Sequence, residues 1–162
     1  MLSSNAAQFF SMQRDMLKGF LEDVPADRWT EQPAGVRNHP AWTLGHLASS
    51  NNFILAMLGK EGAGEIPDAQ AKYGNGSLPT DNPSDYLSKD ELWAAYDKSF
   101  EAASAALAET TDEQMANENP VESVREFFPT VGFGVAYMTM AHQMDHLGQL
   151  RAWKRAAGLA KG

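Results

Sequence analysis

Cysteine is missing from all 162 residues, which excludes disulfides, thiolate metal sites and any thiol nucleophile carried by the chain itself. The usual staple of small secreted domains is therefore absent, and a cytoplasmic setting is expected. Positive charge is scarce: thirteen Lys and Arg face twenty-one Asp and Glu, a net charge of -8. Such a chain repels phosphate backbones and anionic membrane surfaces, so nucleic acid is not an expected partner. No stretch approaches the roughly 20 apolar residues that span a bilayer. The opening Met-Leu-Ser-Ser-Asn has neither a basic start nor an apolar run, unlike a signal or transit peptide. Also lacking are internal repeats, the Gly-x-x-x-x-Gly-Lys-Ser phosphate loop, the dinucleotide glycine pattern and a strand-elbow serine. Nucleotide hydrolysis and serine esterase chemistry drop away with them.

What is present reads as one helical domain over residues 1–162. Hydrophobic residues make up 43% and charged residues 21%, enough apolar material for a packed core and far from a disordered composition. Four long helical segments alternate with stretches rich in Gly, Pro and Asn. The first runs from about residue 4 to 23, with Phe9, Met12, Met16 and Phe20 at helical spacing beside Leu17 and Leu21. Pro25 ends it. The second starts at Pro40, which suits a first helical position, with Asn38 or His39 as its cap. It carries one stripe of Leu44, Leu47, Ile54 and Leu58 and a neighbouring one of Trp42, His46, Ser49 and Phe53.

Residues 59–88 form a long Gly- and Pro-rich connection, a length that suggests a crossover, a lid or part of a binding rim. Ser88 and Glu91 then make a capping box for a third helix, whose apolar face is Leu92, Tyr96, Phe100, Ala103 and Leu107. Thr111 with Gln114 caps a short extra turn, and only residues 121–129 suggest an extended piece. A last helix from about Gly132 to Ala157 carries Tyr137, Met140, Met144, Leu147 and Leu150. The expected class is all-α, a bundle of four helices.

His142 and His146 stand four residues apart, so both project from one helical face and can converge on one ion. Taken alone, the pair is as well explained by two hydrogen-bonded histidines. His46 adds a third imidazole from the second helix, completing the kind of site that bundles build between facing elements. His39 reads as a helix-start residue, about 10 Å along the helix from His46. Asp145 points about 100° away from His146 and reads as a solvated surface carboxylate. Gln149 is placed to reach the centre, and Trp42, Phe53 and Trp153 are candidate pocket walls, although core packing alone also explains each aromatic. Gly148 costs about 1 kcal/mol in a helix interior, which close backbone packing would offset.

The order Trp42-x-x-x-His46-Leu47, then His142-x-x-x-His146-x-Gly148-Gln149, with Asp27-Arg28-Trp29-Thr30 before the second helix, resembles the DinB/YfiT-like family of four-helix metalloproteins. The resemblance implies an up-down-down-up bundle, a divalent metal held by His46, His142 and His146, and a homodimer. Three neutral imidazoles suit Zn or Ni, and Fe or Co after them, far better than Mg or Ca. Three protein ligands leave coordination positions open for water, a thiol or a substrate oxygen. The resemblance favours transfer or activation of a low-molecular-weight thiol, which must arrive as a cosubstrate because the chain has no cysteine. A metal-dependent hydrolase and a non-catalytic metal- or ligand-binding dimer stand as the alternatives.

Overall fold

A computed structural model describes residues 2–160, and among them the protein is helical without a strand. Helix α1 spans Leu2–Leu21, α2 Pro40–Met57, α3 Ala69–Tyr73, α4 Lys89–Glu109 and α5 Asp112–Ala116. The last long helix is composite: α6 Val131–Ala136 leads into a π-helical turn, Tyr137–His142, and on into α7 Gln143–Ala156. Helix α1 packs against α4 and the composite helix, and α2 packs against the same two. The four long elements therefore surround one core.

Local signals start these helices as the sequence suggests. Pro40 opens α2, and the side chain of His39, not Asn38, caps it by accepting from the Trp42 amide at 3.2 Å. The Ser88 hydroxyl accepts from the Glu91 amide while the Glu91 carboxylate accepts from the Ser88 amide, closing the capping box of α4. Thr111 and Gln114 close a second box on α5. The apolar face of α4, Leu92 through Leu107, is buried as its spacing predicts.

Two faces differ from expectation. On α1 the buried stripe is Ala6, Phe10, Leu17 and Leu21, with Gln13 in the middle, while Phe9 and Met12 are exposed. The apolar residues of α1 form two adjoining stripes, and a core glutamine decides between them: Gln13 Nε2 donates to the Met140 carbonyl, inside the π turn, at 3.2 Å. On the composite helix Tyr137 and Met144 are exposed, and Val131, Val135, Met138, Leu147 and Leu150 are buried. The wide π turn shifts the angular register between the two halves, so no single 3.6-residue stripe runs the length of the helix. The expected extended piece at residues 121–129 is instead a 3-10 turn, Glu122–Val124, bracketed by a lone antiparallel bridge between Glu118 and Thr130.

Residues 59–88 are strapped down rather than free. His39 Nε2 donates to the Thr80 carbonyl at 2.8 Å, and Trp42 Nε1 donates to Ser77 Oγ at 2.8 Å. Gln32 Nε2 donates to the Pro79 carbonyl at 2.8 Å and Thr30 Oγ1 to the Asp81 carbonyl at 3.1 Å. The connection thus lies against the start of α2.

Burial pushes His39 down to about 4, against the hydrogen bonds and the nearby Asp81 that favour its charged form. In the unfolded chain it titrates near 6.5. Below that pH the unfolded chain takes up a proton that the folded chain refuses until about pH 4. Stability should fall as pH drops through this window, by on the order of 3 kcal/mol from this residue. Melting temperatures of the chelator-treated protein between pH 7 and 4 test this: His39→Ser, which keeps a cap but cannot titrate, should show a shallower slope than the parent. Parallel slopes would remove His39 as a cause.

Candidate metal centre

The centre lies where α2 faces the junction of the π turn and α7. His142 is the last residue of the wide turn and His146 sits one turn into α7. Their Nε2 atoms are 3.2 Å apart, and His142 Nε2 is 3.0 Å from His46 Nε2. One ring nitrogen from each residue lies within 4.8 Å of the others. The three side chains that the sequence placed on two separate helices do converge.

Two of the rings are held by their outer nitrogens. His46 Nδ1 donates to the Tyr73 carbonyl at 2.6 Å, and the Trp42 indole stacks on the His46 ring with centroids 4.8 Å apart and planes 9° apart. A carbonyl oxygen only accepts, so the proton of neutral His46 is on Nδ1 and its lone pair is on Nε2. This clamp depends on a glycine. A Cβ at Gly45 would collide with the Tyr73 ring, which packs directly against that position and is fully buried. His146 Nδ1 meets Gln149 Oε1 at 3.1 Å, and that oxygen also accepts from Asn38 Nδ2 at 2.7 Å. Gln149 Nε2 donates to Asp145 Oδ2 at 2.9 Å.

Burial lowers all three histidines, His142 to about 4 and His146 to about 3, with mutual repulsion adding to the effect on those two. At neutral pH the rings are uncharged and present lone pairs. His142 Nδ1 is buried with no partner. If His142 protonates Nε2, that proton is shared with a neighbouring Nε2 and a bare Nδ1 lone pair is buried. If it protonates Nδ1, that N–H is buried unpaired and three Nε2 lone pairs crowd one point, a crowding that a cation removes. Nitrogen–zinc bonds of about 2.0–2.1 Å allow two donors on one ion to be at most about 4.2 Å apart, which the two Nε2 separations of 3.0 and 3.2 Å satisfy. These residues fit a divalent transition metal.

A cavity of about 640 Å³ opens over the histidines. Trp42, Phe53, Phe128 and Tyr137 supply its apolar wall, and Asn38, Gln70, Asn75 and Gln149 its amides. Trp42 and Phe53 therefore lie where the sequence reading puts them. Trp153 does not: it is fully buried, donates Nε1 to the Glu31 carbonyl at 2.7 Å and is absent from the cavity lining. Its large ring is buried in the core and its N–H is satisfied by the segment that precedes α2. Gly148 is exposed, and a Cβ there would meet no atom within 4 Å, so close packing does not account for it. Asp145 lines the cavity rim and orients Gln149. Gln149 has both ends of its amide engaged within the protein and braces His146.

Sequence reasoning missed Tyr73, Phe128, Tyr137 and the part played by Gly45 and Asp145. Gly45 carried a readable signal: a glycine in a helix interior is costly and marks a close approach. Tyr73 acts through its backbone, which no side-chain motif reports.

Neither a curated protein nor a solved structure matches the chain. The model of the DinB superfamily matches residues 10–150, a span that contains α2, the π turn and all three converging histidines. On that match, the chain belongs to the DinB superfamily.

Proposed function

We propose that the protein is a divalent-metal-dependent enzyme that activates a low-molecular-weight thiol for transfer to an electrophile. His46, His142 and His146 hold the ion, zinc or nickel. The observation that carries this reading is the convergence of three neutral imidazoles beneath an open cavity with an apolar wall. An ion there lowers the pKa of a bound thiol, favouring the reactive thiolate at neutral pH.

The chain's own residues do the positioning. The Tyr73 carbonyl and the Gln149 amide keep the Nδ1 protons of His46 and His146 outward, so both Nε2 lone pairs face inward. Trp42 fixes the plane of His46 by stacking and, with Phe53 and Phe128, offers apolar surface to the carbon skeleton of an electrophile. The amides that also line the cavity suit the body of a hydrophilic cosubstrate. The sulfur must come from that cosubstrate, since the chain contains no cysteine.

The same reading has one domain whose four long helices run up-down-down-up and which pairs as a homodimer. Exposed Phe9 and Met12 on α1, with Phe133 and Met144 on the neighbouring composite helix, give such pairing apolar surface to cover.

The test uses untagged protein loaded with zinc, nickel or cobalt in turn and supplied with small thiols and a generic electrophile. Thioether formation that depends on the loaded ion is the expected result. Stoichiometric metal without turnover of any thiol would instead mark a binding protein.

A further inference from the structure

A hydrogen-bond chain runs from the cavity rim to one of the three histidines, and its direction is set at the far end. The Asp145 carboxylate can only accept, so the group of Gln149 that faces it at 2.9 Å is the amide nitrogen. The Gln149 oxygen is thereby turned to His146 Nδ1 and Asn38 Nδ2. Asn38 Nδ2 also donates, so Oε1 is held as an acceptor from both sides. An acceptor opposite Nδ1 requires the proton there.

We infer that Asp145, Gln149 and Asn38 act together as positioning residues that fix the Nδ1–H tautomer of His146 and so keep its Nε2 lone pair aimed at the metal centre. Asp145 does this two hydrogen bonds away from the ring it controls. The inference rests on the reading of His146 as a ligand for its consequence in affinity, but the tautomer itself is a property of the metal-free protein. His142 supplies the contrast within the same site: its Nδ1 has no partner, and in the metal-free protein its Nε2 faces the Nε2 lone pairs of His46 and His146 at 3.0 and 3.2 Å, which favours a proton on Nε2 instead. Supporting hydrogen bonds to metal-binding histidines typically carry 10–100-fold in affinity.

The experiment compares the parent, Asp145→Asn, and Asp145→Asn combined with Gln149→Glu. An asparagine at position 145 can face Gln149 with either end of its amide, so direction is lost. In the double variant, that asparagine can only donate to the new carboxylate, whose other oxygen still accepts from His146 Nδ1. Nitrogen chemical shifts of the His146 ring in metal-free protein at pH 7.5 report the tautomer. Competition against a chromophoric chelator reports zinc affinity.

The expected result is a pure Nδ1–H signature in the parent, a mixture in the single variant with affinity about 10–100-fold lower, and recovery of both in the double variant. Unchanged His146 ring shifts in Asp145→Asn would overturn the inference, because a merely structural carboxylate would leave them unmoved. Should the parent bind no zinc, the metal reading fails, while the ring shifts still decide whether Asp145 sets the tautomer.

Discussion

His142→Ala protein, purified without a histidine tag, is expected to carry essentially no divalent ion where the parent carries a near-stoichiometric amount. Removing one of three ligands leaves two imidazoles that cannot close around an ion. The loss should exceed the roughly 10–100-fold typical of a lost supporting hydrogen bond. Elemental analysis after dialysis reads this directly. Melting temperature gives a second readout, because an ion that binds only the folded state stabilises it by about 2.7 kcal/mol at a hundredfold excess over Kd. The parent should therefore melt lower when a chelator is added, and His142→Ala should melt at one temperature with or without it. His142 is the informative choice because its outer nitrogen, Nδ1, has no partner and its Nε2 meets only His46 and His146; truncating it strands no hydrogen-bond partner outside the histidine cluster. Parent-level metal in this variant would refute the three-histidine centre.

Gly45→Ala should damage the same centre from behind. The added methyl would occupy space filled by the Tyr73 ring, which is buried and also packs against Tyr86 with centroids 5.8 Å apart. Overpacking of this kind costs about 1–3 kcal/mol, and each kcal/mol moves the melting temperature of a protein this size by about 2–4 °C. Pushing Tyr73 away also draws its carbonyl off His46 Nδ1, so zinc affinity should fall by about 10–100-fold. Gly148→Ala is the matched control: it is also a helical glycine near the histidines, but its Cβ would meet open space. Calorimetry and chelator competition on the two variants separate a close-approach effect from a general dislike of alanine. Equal behaviour of the two would dismiss the clamp.

Much of this molecule is legible locally. The capping boxes at Ser88 and Thr111 and the proline at the start of α2 name their helices from a few adjacent residues, because a cap satisfies its orphan amides within one turn. The histidine set is legible for a different reason: imidazoles are few, and a spacing of four on one helix fixes a shared face. The α1 face is not legible, because Phe9 and Phe10 are equally apolar and only Gln13, reaching Met140 across the core, selects between them. Trp153 and Trp42 look alike in the sequence, yet one finds its partner in the Glu31 carbonyl before α2 and the other in Ser77 on the long connection. Asp145 misleads because an angular estimate treats the helix surface as bare, whereas the Gln149 side chain spans the gap.

The π turn at Tyr137–His142 works as a phase adjuster. Each residue added to a helix rotates the downstream side chains by about 100°, so one wide turn lets the two halves answer separate angular demands. The upstream half is free to seat Val131 and Val135 in the core, while His142 at the end of the turn and His146 in the downstream half aim at α2. The downstream half also buries Leu147, Leu150 and Trp153, so lengthening or shortening that one turn would re-aim His146 and carry those core residues with it, while Val131 and Val135 keep their seats.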